Sequence, residues 1–580
     1  MRRLAARPAR LGAVLLAALA LTSCVRVPDN GPVVVARGKA QPPPVQAEFN
    51  KPKGPQPGQS AEDVVIGFLD AMTATPLQTN TAQEFLARHA QQQWNPQRVV
   101  AYSYHTPARG TQHVVVRLRG ADQVGARGQW QGQVSPSGRR LVFPMTREDN
   151  EWRIAAAPDA LLVPSTFFDQ QYQDADLYFF DPSGKILVPE PVHVPQGSQL
   201  TSALVRALLH GPSRSLAGVA RTFIPAGLTL GLSVPVGNDG VADVTLKGPD
   251  PGPLSRKTVN LVVAQLAWTL RQDPEVTSFR LTIADHSVSD ATGNQVFKVH
   301  STATDRYDPA VSLASSQIYG LRAGRLVSGQ IEHPTKVDGP FGNGRLGIRQ
   351  FAVSLDGTEV AGVTSSSLLV GPVLGASQPT PELTGSGLQR PSWDFADRLW
   401  NIQDGPSGAE VVYVDRGRTH PVKVPGITGG DVRRFLVSRD GSRIVAVLRG
   451  PASDRIVVSR LRYNANDRAV RGTRARPIRW VSGGTTRVSD IGWTSPTTIA
   501  VLDQVSGSQA EVRILNVDGS TPPGETAVAS IPGVATRLAT SPVATQTPYA
   551  VLASGLYNIA QVDPTRPLPT PHLHRIAYAG

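Results

Sequence analysis

The stretches RQFAVSLDGTEVAGV (349–363) and RRFLVSRDGSRIVAVL (433–448) share one pattern: apolar residues, Val-Ser-x-Asp-Gly, then a second apolar run containing an alanine. Asp356-Gly357 and Asp440-Gly441 are the residues that a tight connection between antiparallel strands requires, because glycine reaches the left-handed backbone at little cost. Related strand–turn–strand elements occur at LQRPSWDFADRLWNIQ (388–403), VSDIGWTSPTTIAVLDQ (488–504) and ATRLATSPVATQTPYAVLA (535–553). Their recurrence at roughly 40 to 55 residues is the spacing of propeller blades. Residues 311–580 therefore read as an all-β propeller, with room for about six blades at ~45 residues each. A pair of β-sandwiches with chance similarity is the competing arrangement. Abundant glycine (54) and proline (49) with only 6% aromatic residues agree with a turn-rich, β-rich chain.

The first residues have a different texture. Arg2, Arg3, Arg7 and Arg10 precede an apolar run from Leu11 to Leu21, which is about half of the ~20 residues a spanning helix needs and suits a secretory signal over 1–23. Cys24 follows, the single cysteine of a 580-residue chain, so neither a disulfide nor a CxxC redox pair is available. Leu21-Thr22-Ser23-Cys24 resembles the bacterial lipobox. That resemblance implies diacylglycerol transfer to the Cys24 sulfur, cleavage before it and acylation of the freed amine. Two or more acyl chains make a durable membrane anchor. Residues 24–60 include GKAQPPPVQAEFNKPKGPQPGQS, too poor in large apolar residues to fold, and read as a semi-extended tether.

Residues 61–165 open with SAEDVVIGFLDAMTA, where Ser60 and Asp63 form a capping-box pattern and Val64, Val65, Phe68, Leu69 and Met72 share one helical face. A second helix is expected over TAQEFLARHA (81–90), followed by alternating strands. Helices followed by a curved antiparallel sheet resemble an NTF2-like α+β cone, a fold that often encloses a pocket. His105, His113 and Asp149 are the residues able to line it, and no acid–base pair stands out among them.

Residues 166–310 read as a second α+β domain: a hairpin around Pro182-Ser183-Gly184, a helix with Leu200, Leu204 and Leu208 on one stripe, and a helix with Val259, Val262, Val263, Leu266 and Leu270 inward. A second hairpin is expected from the alternation of Leu228, Leu230, Leu232, Val234 and Val236, a turn at Asn238-Asp239-Gly240, and return residues Ala242, Val244 and Leu246. ALLHGPSRSLAGVARTFIPAGLTL (207–230), with PEVTSFRLTIAD (274–285) closing the segment, is similar to the GerMN domain. No catalytic residue comes with that family.

Several chemistries lack their motifs: HExxH, CxxC, GxSxG and a phosphate loop ending in Gly-Lys-Ser/Thr do not occur. GNGRLG (342–347) matches GxGxxG but precedes a predicted strand, so no helix N-terminus is offered to a pyrophosphate. Asp285, His286, Ser289 and Asp290 have the residue types of a triad but are local neighbours, whereas a triad converges from separate elements. The chain is therefore expected to be no enzyme and to need no metal or cofactor. Its formal charge of +13, about +9 without the four N-terminal arginines, is spread along the chain. Outside a membrane nucleic acid is no partner; lipid headgroups, anionic wall polymer or an acidic partner domain remain.

Lipobox, tether, NTF2-like domain, GerMN domain and propeller, in that order, resemble the actinobacterial LpqB lipoprotein family. The resemblance implies a lipid-anchored protein on the extracytoplasmic face of the cell membrane. It implies a non-enzymatic accessory of an MtrA/MtrB-type two-component system, which acts on the extracytoplasmic domain of the sensor histidine kinase and affects envelope maintenance and division. A carrier of lipid or cell-wall precursor, and a wall-glycan hydrolase with carboxylates from distant loops, are the alternatives.

Overall fold

A computed structural model describes residues 50–580 apart from 465, 481–486, 523–527, 561–567 and 569–572. Residues 51–580 form one compact unit. Its first part begins with the helix Ala61–Ala71, where the Ser60 hydroxyl accepts the Asp63 N–H at 3.1 Å and Asp63 accepts the Ser60 N–H at 3.4 Å. That reciprocal cap fixes the start of the helix and points Val64, Val65, Phe68 and Leu69 into the core. Two four-stranded sheets receive it, one ordered Trp130–Gln133, Asp122–Val124, Arg98–Tyr102, Ala160–Pro164, the other Tyr104–His105, His113–Arg119, Arg140–Glu148, Glu151–Ile154. The interior expected to hold a pocket is filled by aromatic rings, with Phe68 5.4 Å from Trp94 and 6.0 Å from Phe143. The expected second helix is broken into Asn80–Gln83 and Arg88–Gln93. Between them the backbone pairs with Ile154, whose N–H donates to Phe85 and whose carbonyl accepts from Ala87. A sheet contact has overridden helical periodicity there.

In the second part, strands Tyr172–Phe180 and Leu187–Pro195 form the expected hairpin. The Asp181 carboxylate closes its turn by accepting the N–H groups of Lys185 at 2.6 Å and Ile186 at 2.9 Å. Helices Leu200–Leu209 and Arg256–Leu270 bury the predicted stripes against a sheet ordered Thr229–Leu230, Val241–Lys247, Ser278–Ile283, His286–Ser287. The expected hairpin over 228–246 is only partly formed. Thr229 and Leu230 pair with Lys247 and Leu246, then the chain leaves the sheet and Leu232 is fully exposed. The diversion has a local cause: the Val234 N–H goes to the Ser202 hydroxyl on the neighbouring helix at 2.9 Å, and Pro235 has no N–H to give a ladder.

The third part is a propeller of six blades among the described residues. Blades two to five are meanders beginning at Gln350–Val353, Ser392–Trp393, Val432–Val437 and Val488–Trp493, with four strands each except the five of blade four, and blade six begins at Ala535–Ala539. Blade one is assembled from both ends of the domain: Ile318–Arg322 pairs with Arg325–Gly329 on one side and with the C-terminal strand His574–Tyr578 on the other. The first strands of blades two to six and His574–Tyr578 stand side by side around one axis, each neighbouring the next until the ring closes. The repeated Val-Ser-x-Asp-Gly has one geometry in both blades. Ser354 and Ser438 each donate to the aspartate two residues on, at 2.5 Å, and accept an N–H from the start of the second strand. Gly357 and Gly441 take φ of 77° and 68°, the conformation the motif demanded.

Candidate functional site

Leu21, Thr22, Ser23 and Cys24 lie outside the described residues. The three residues nominated for a pocket do not converge. His105 pairs across from Leu118 and His113 across from Pro144, five positions along the same strand and so about 17 Å apart. Asp149 sits at an exposed hairpin tip, 3.1 Å from Arg88. His286 is 3.8 Å from Asp250, both exposed, beside a cleft of about 360 Å³ that also exposes Ser289. Asp290 instead accepts N–H groups from Thr292 and Asn294 in a closed turn, and these bonds with the Thr292 hydroxyl hold its carboxyl below the usual range. The four make no triad. Gly342 is buried where a Cβ would meet the Val337 carbonyl at 2.1 Å, and the strand Gln350–Val353 follows, so GNGRLG is a packing turn. Among the described residues no cluster of His, Cys, Asp and Glu is placed to hold a metal ion, and no helix is long and apolar enough to cross a membrane.

Two polar assemblies stand out instead. The first joins the three parts. The strand Leu187–Pro195 brings His193 into a buried position where its N–H donates to the Gly128 carbonyl at 2.7 Å and its ring lies 5.3 Å from Trp130. His193 Nδ1 is 2.8 Å from Asp174 Oδ1 and its Nε2 is 3.9 Å from Asp518 of blade five. Asn516 donates to Asp174 at 2.9 Å and Thr497 to Asp176 at 3.2 Å. Arg443 of blade four, fully buried, donates to the Pro189 carbonyl and lies 3.4 Å from Asp440. All these propeller residues follow the inner strands Val432–Val437 and Val488–Trp493 or lie beyond the third strands, at one end of the propeller.

Burial pushes the Asp176 carboxyl up from 3.8 to about 6, against the pull of Arg443. Below about pH 4 both folded and unfolded forms hold this proton; between 4 and 6 only the folded form does, so stability falls as pH rises through that window. Asp176→Asn removes the charge. It is expected to stabilise the protein by about 1–3 kcal/mol above pH 6 and by nothing near pH 3.5. Urea midpoints at pH 3.5 and 7.5 test this.

The second assembly rings the axis at the propeller's other end. At or just before the start of each inner strand runs apolar-x-polar: Ile348-x-Gln350, Leu388-x-Arg390, Val432-x-Arg434, Val488-x-Asp490, Ala535-x-Arg537 and Leu573-x-Arg575. The six apolar residues are buried between blades. Backbone irregularities at Val432/Arg434, Val488/Asp490 and Ala535/Arg537 mark the same position in three blades. Asp490, with no exposed side-chain surface, receives Arg434 at 3.3 Å, Arg390 at 3.5 Å and Arg537 at 3.7 Å. Gln350, Arg390, Arg537 and Arg575 share the rim of a small hollow. Sequence reasoning missed this ring because its signal exists only once the six blades are aligned, and Gln350 and Asp490 interrupt the arginines.

Comparison with known proteins agrees with this architecture. Residues 54–169 match the family model described as "Lipoprotein LpqB, N-terminal domain", residues 324–560 "Lipoprotein LpqB beta-propeller domain", and residues 176–289 "Sporulation and spore germination". Lipoprotein LpqB of Thermobifida fusca is 28% identical over 567 residues, covering 87% of this chain and 88% of that protein. The Streptomyces avermitilis protein of that name is 27% identical, covering 91% of each chain, and that of Mycobacterium paratuberculosis is 29% identical, covering 76% and 78%. With two of its three domains matched by models of one family, and with relatives of that family aligned along most of its length, the chain belongs to the LpqB lipoproteins.

Proposed function

We propose that the protein is a non-enzymatic accessory of a sensor histidine kinase, held on the extracytoplasmic face of the cell membrane by the acylated Cys24. The observation that supports this reading is the buried junction around His193, Asp174, Asp176 and Arg443. It ties three domains into one unit through polar groups, the build of a scaffold that presents a surface at a fixed geometry. Anchoring in the membrane plane raises the effective concentration of that surface near a membrane kinase. Bias between two kinase states then requires only a difference in affinity for them. A carrier has less support, since Phe68, Trp94 and Phe143 occupy the interior it would use.

Cys24→Ala is expected to move the protein from the membrane pellet to the soluble fraction, as read by blotting after ultracentrifugation. The tagged wild-type protein, pulled down from detergent-solubilised membranes, is expected to recover a sensor kinase. Recovery of a wall polymer or a small molecule with no kinase would overturn the reading.

A further inference from the structure

We infer that the arginine ring at one end of the propeller axis is a binding site for one multiply charged oxyanion group, phosphoryl or clustered carboxylate. The inference concerns the ring alone and stands whether or not the partner is a kinase.

Charge balance is the first argument. Arg390, Arg434, Arg537 and Arg575 surround the mouth of the axis, and Asp490 is the one carboxylate among the six equivalent positions. Three of the guanidiniums reach Asp490, whose second oxygen is also taken by the Leu538 N–H at 3.0 Å. Among the described residues Arg575 bonds only the Arg349 carbonyl, at 3.3 Å. The other end of the propeller is balanced differently. There the buried Arg398 faces two carboxylates, Asp394 at 2.9 Å and Asp467 at 3.5 Å. Packing like charges in a partly dry funnel costs folding free energy unless a counter-charge relieves it. Burial, and after it the neighbouring arginines, lower Arg434 and take Arg537 down to about 10, against the pull of Asp490.

Geometry is the second argument. Behind the ring the axis narrows to a hollow of about 70 Å³ walled by Phe351, Trp393, Phe435 and Trp493. Its far end is stopped by Arg439, which donates to the Ala310 and Ala579 carbonyls. Such a space admits a group of a few heavy atoms and keeps the body of any larger ligand outside. Guanidinium forks converging on one point suit the several oxygens of a phosphoryl or carboxylate group. The site also lies at the end of the propeller opposite the contacts with the second domain. Contacts with the second domain are made by residues that follow the inner strands, such as Arg443 and Thr497, whereas the ring residues stand at their beginnings.

Asp490 is then a built-in occupant that holds the arginines in register until an external anion arrives. Removing it has an opposite effect from removing an arginine, which separates binding from mere packing. Full-length protein in non-ionic detergent is titrated calorimetrically with inorganic phosphate and, separately, with citrate, at low ionic strength. One saturable site per chain is expected, weakening as salt rises. Arg434→Gln and the exposed Arg575→Gln are each expected to weaken binding about tenfold, and Asp490→Asn to tighten it by about as much. Arg433→Gln, outside the ring, leaves it unchanged. Tighter binding of phosphate assigns the phosphoryl source and tighter binding of citrate the carboxylate source, and either supports the site. No saturable binding of both probes, equal binding by wild type and Arg575→Gln, or weaker binding by Asp490→Asn would overturn it.

Discussion

Removal of residues 574–580 is expected to abolish the cooperative unfolding transition of the propeller. The strand His574–Tyr578 is the innermost strand of blade one, and without it Ile318–Arg322 has a bare edge facing the axis. Ile576 and Tyr578 are buried, the Tyr578 hydroxyl donates to the Thr547 carbonyl at 2.7 Å, and the Gly580 N–H donates to Val353 at 2.8 Å. The two side chains alone bury on the order of 4 kcal/mol. That is a large share of the 5–15 kcal/mol that holds a typical domain. The severed ring also exposes the flanks of blades two and six, so the loss exceeds the sum of side chains. Differential scanning calorimetry of the truncated protein should lose the propeller endotherm while dye binding to exposed apolar surface rises. An unchanged endotherm would contradict closure through this strand.

Arg443→Ala is expected to destabilise the protein by about 3–5 kcal/mol, the cost of leaving a buried charge without its partner. Arg443 has no exposed surface; it lies against Asp440, donates to the Ser442 hydroxyl at 3.1 Å and reaches the Pro189 carbonyl across the domain junction. The substitution strands three acceptors and opens a cavity at once. Arg443→Met with Asp440→Asn removes both charges while keeping volume, and should recover more than half of the loss. Chemical denaturation of the wild type and the two variants resolves this. If the double variant is no more stable than Arg443→Ala, packing and not charge is what Arg443 supplies.

The parts of the fold that depend on near neighbours in the chain could be read from the sequence. The Ser60–Asp63 cap, the stripe Leu200, Leu204, Leu208 and the paired Val-Ser-x-Asp-Gly turns each contain their own partners within a few residues. Reading failed where a distant group competes for the backbone. Ile154 takes the chain at Phe85 and Ala87, and Ser202 takes Val234, and neither competitor leaves a trace in local periodicity. The junction was invisible for the same reason, since Asp174 and Asn516 meet only after both domains fold. His105, His113 and Asp149 were nominated by residue type alone; residue type cannot say that His105 pairs beside one end of the strand whose other end is His113.

The pairing of Ile318–Arg322 with His574–Tyr578 also sets an order of events in time. Some 250 residues must be threaded before the first blade can acquire its inner strand, so the ring is the last feature to form and among the slowest. Until then the domain is an open arc with two unpaired ends, the species most exposed to aggregation and to proteolysis. The two domains that precede it contain their own sheets and can be complete by then, and the hairpin carrying Asp174 and His193 already waits as a platform. Docking of blades four and five on that platform would hold the arc in shape while the final strand arrives.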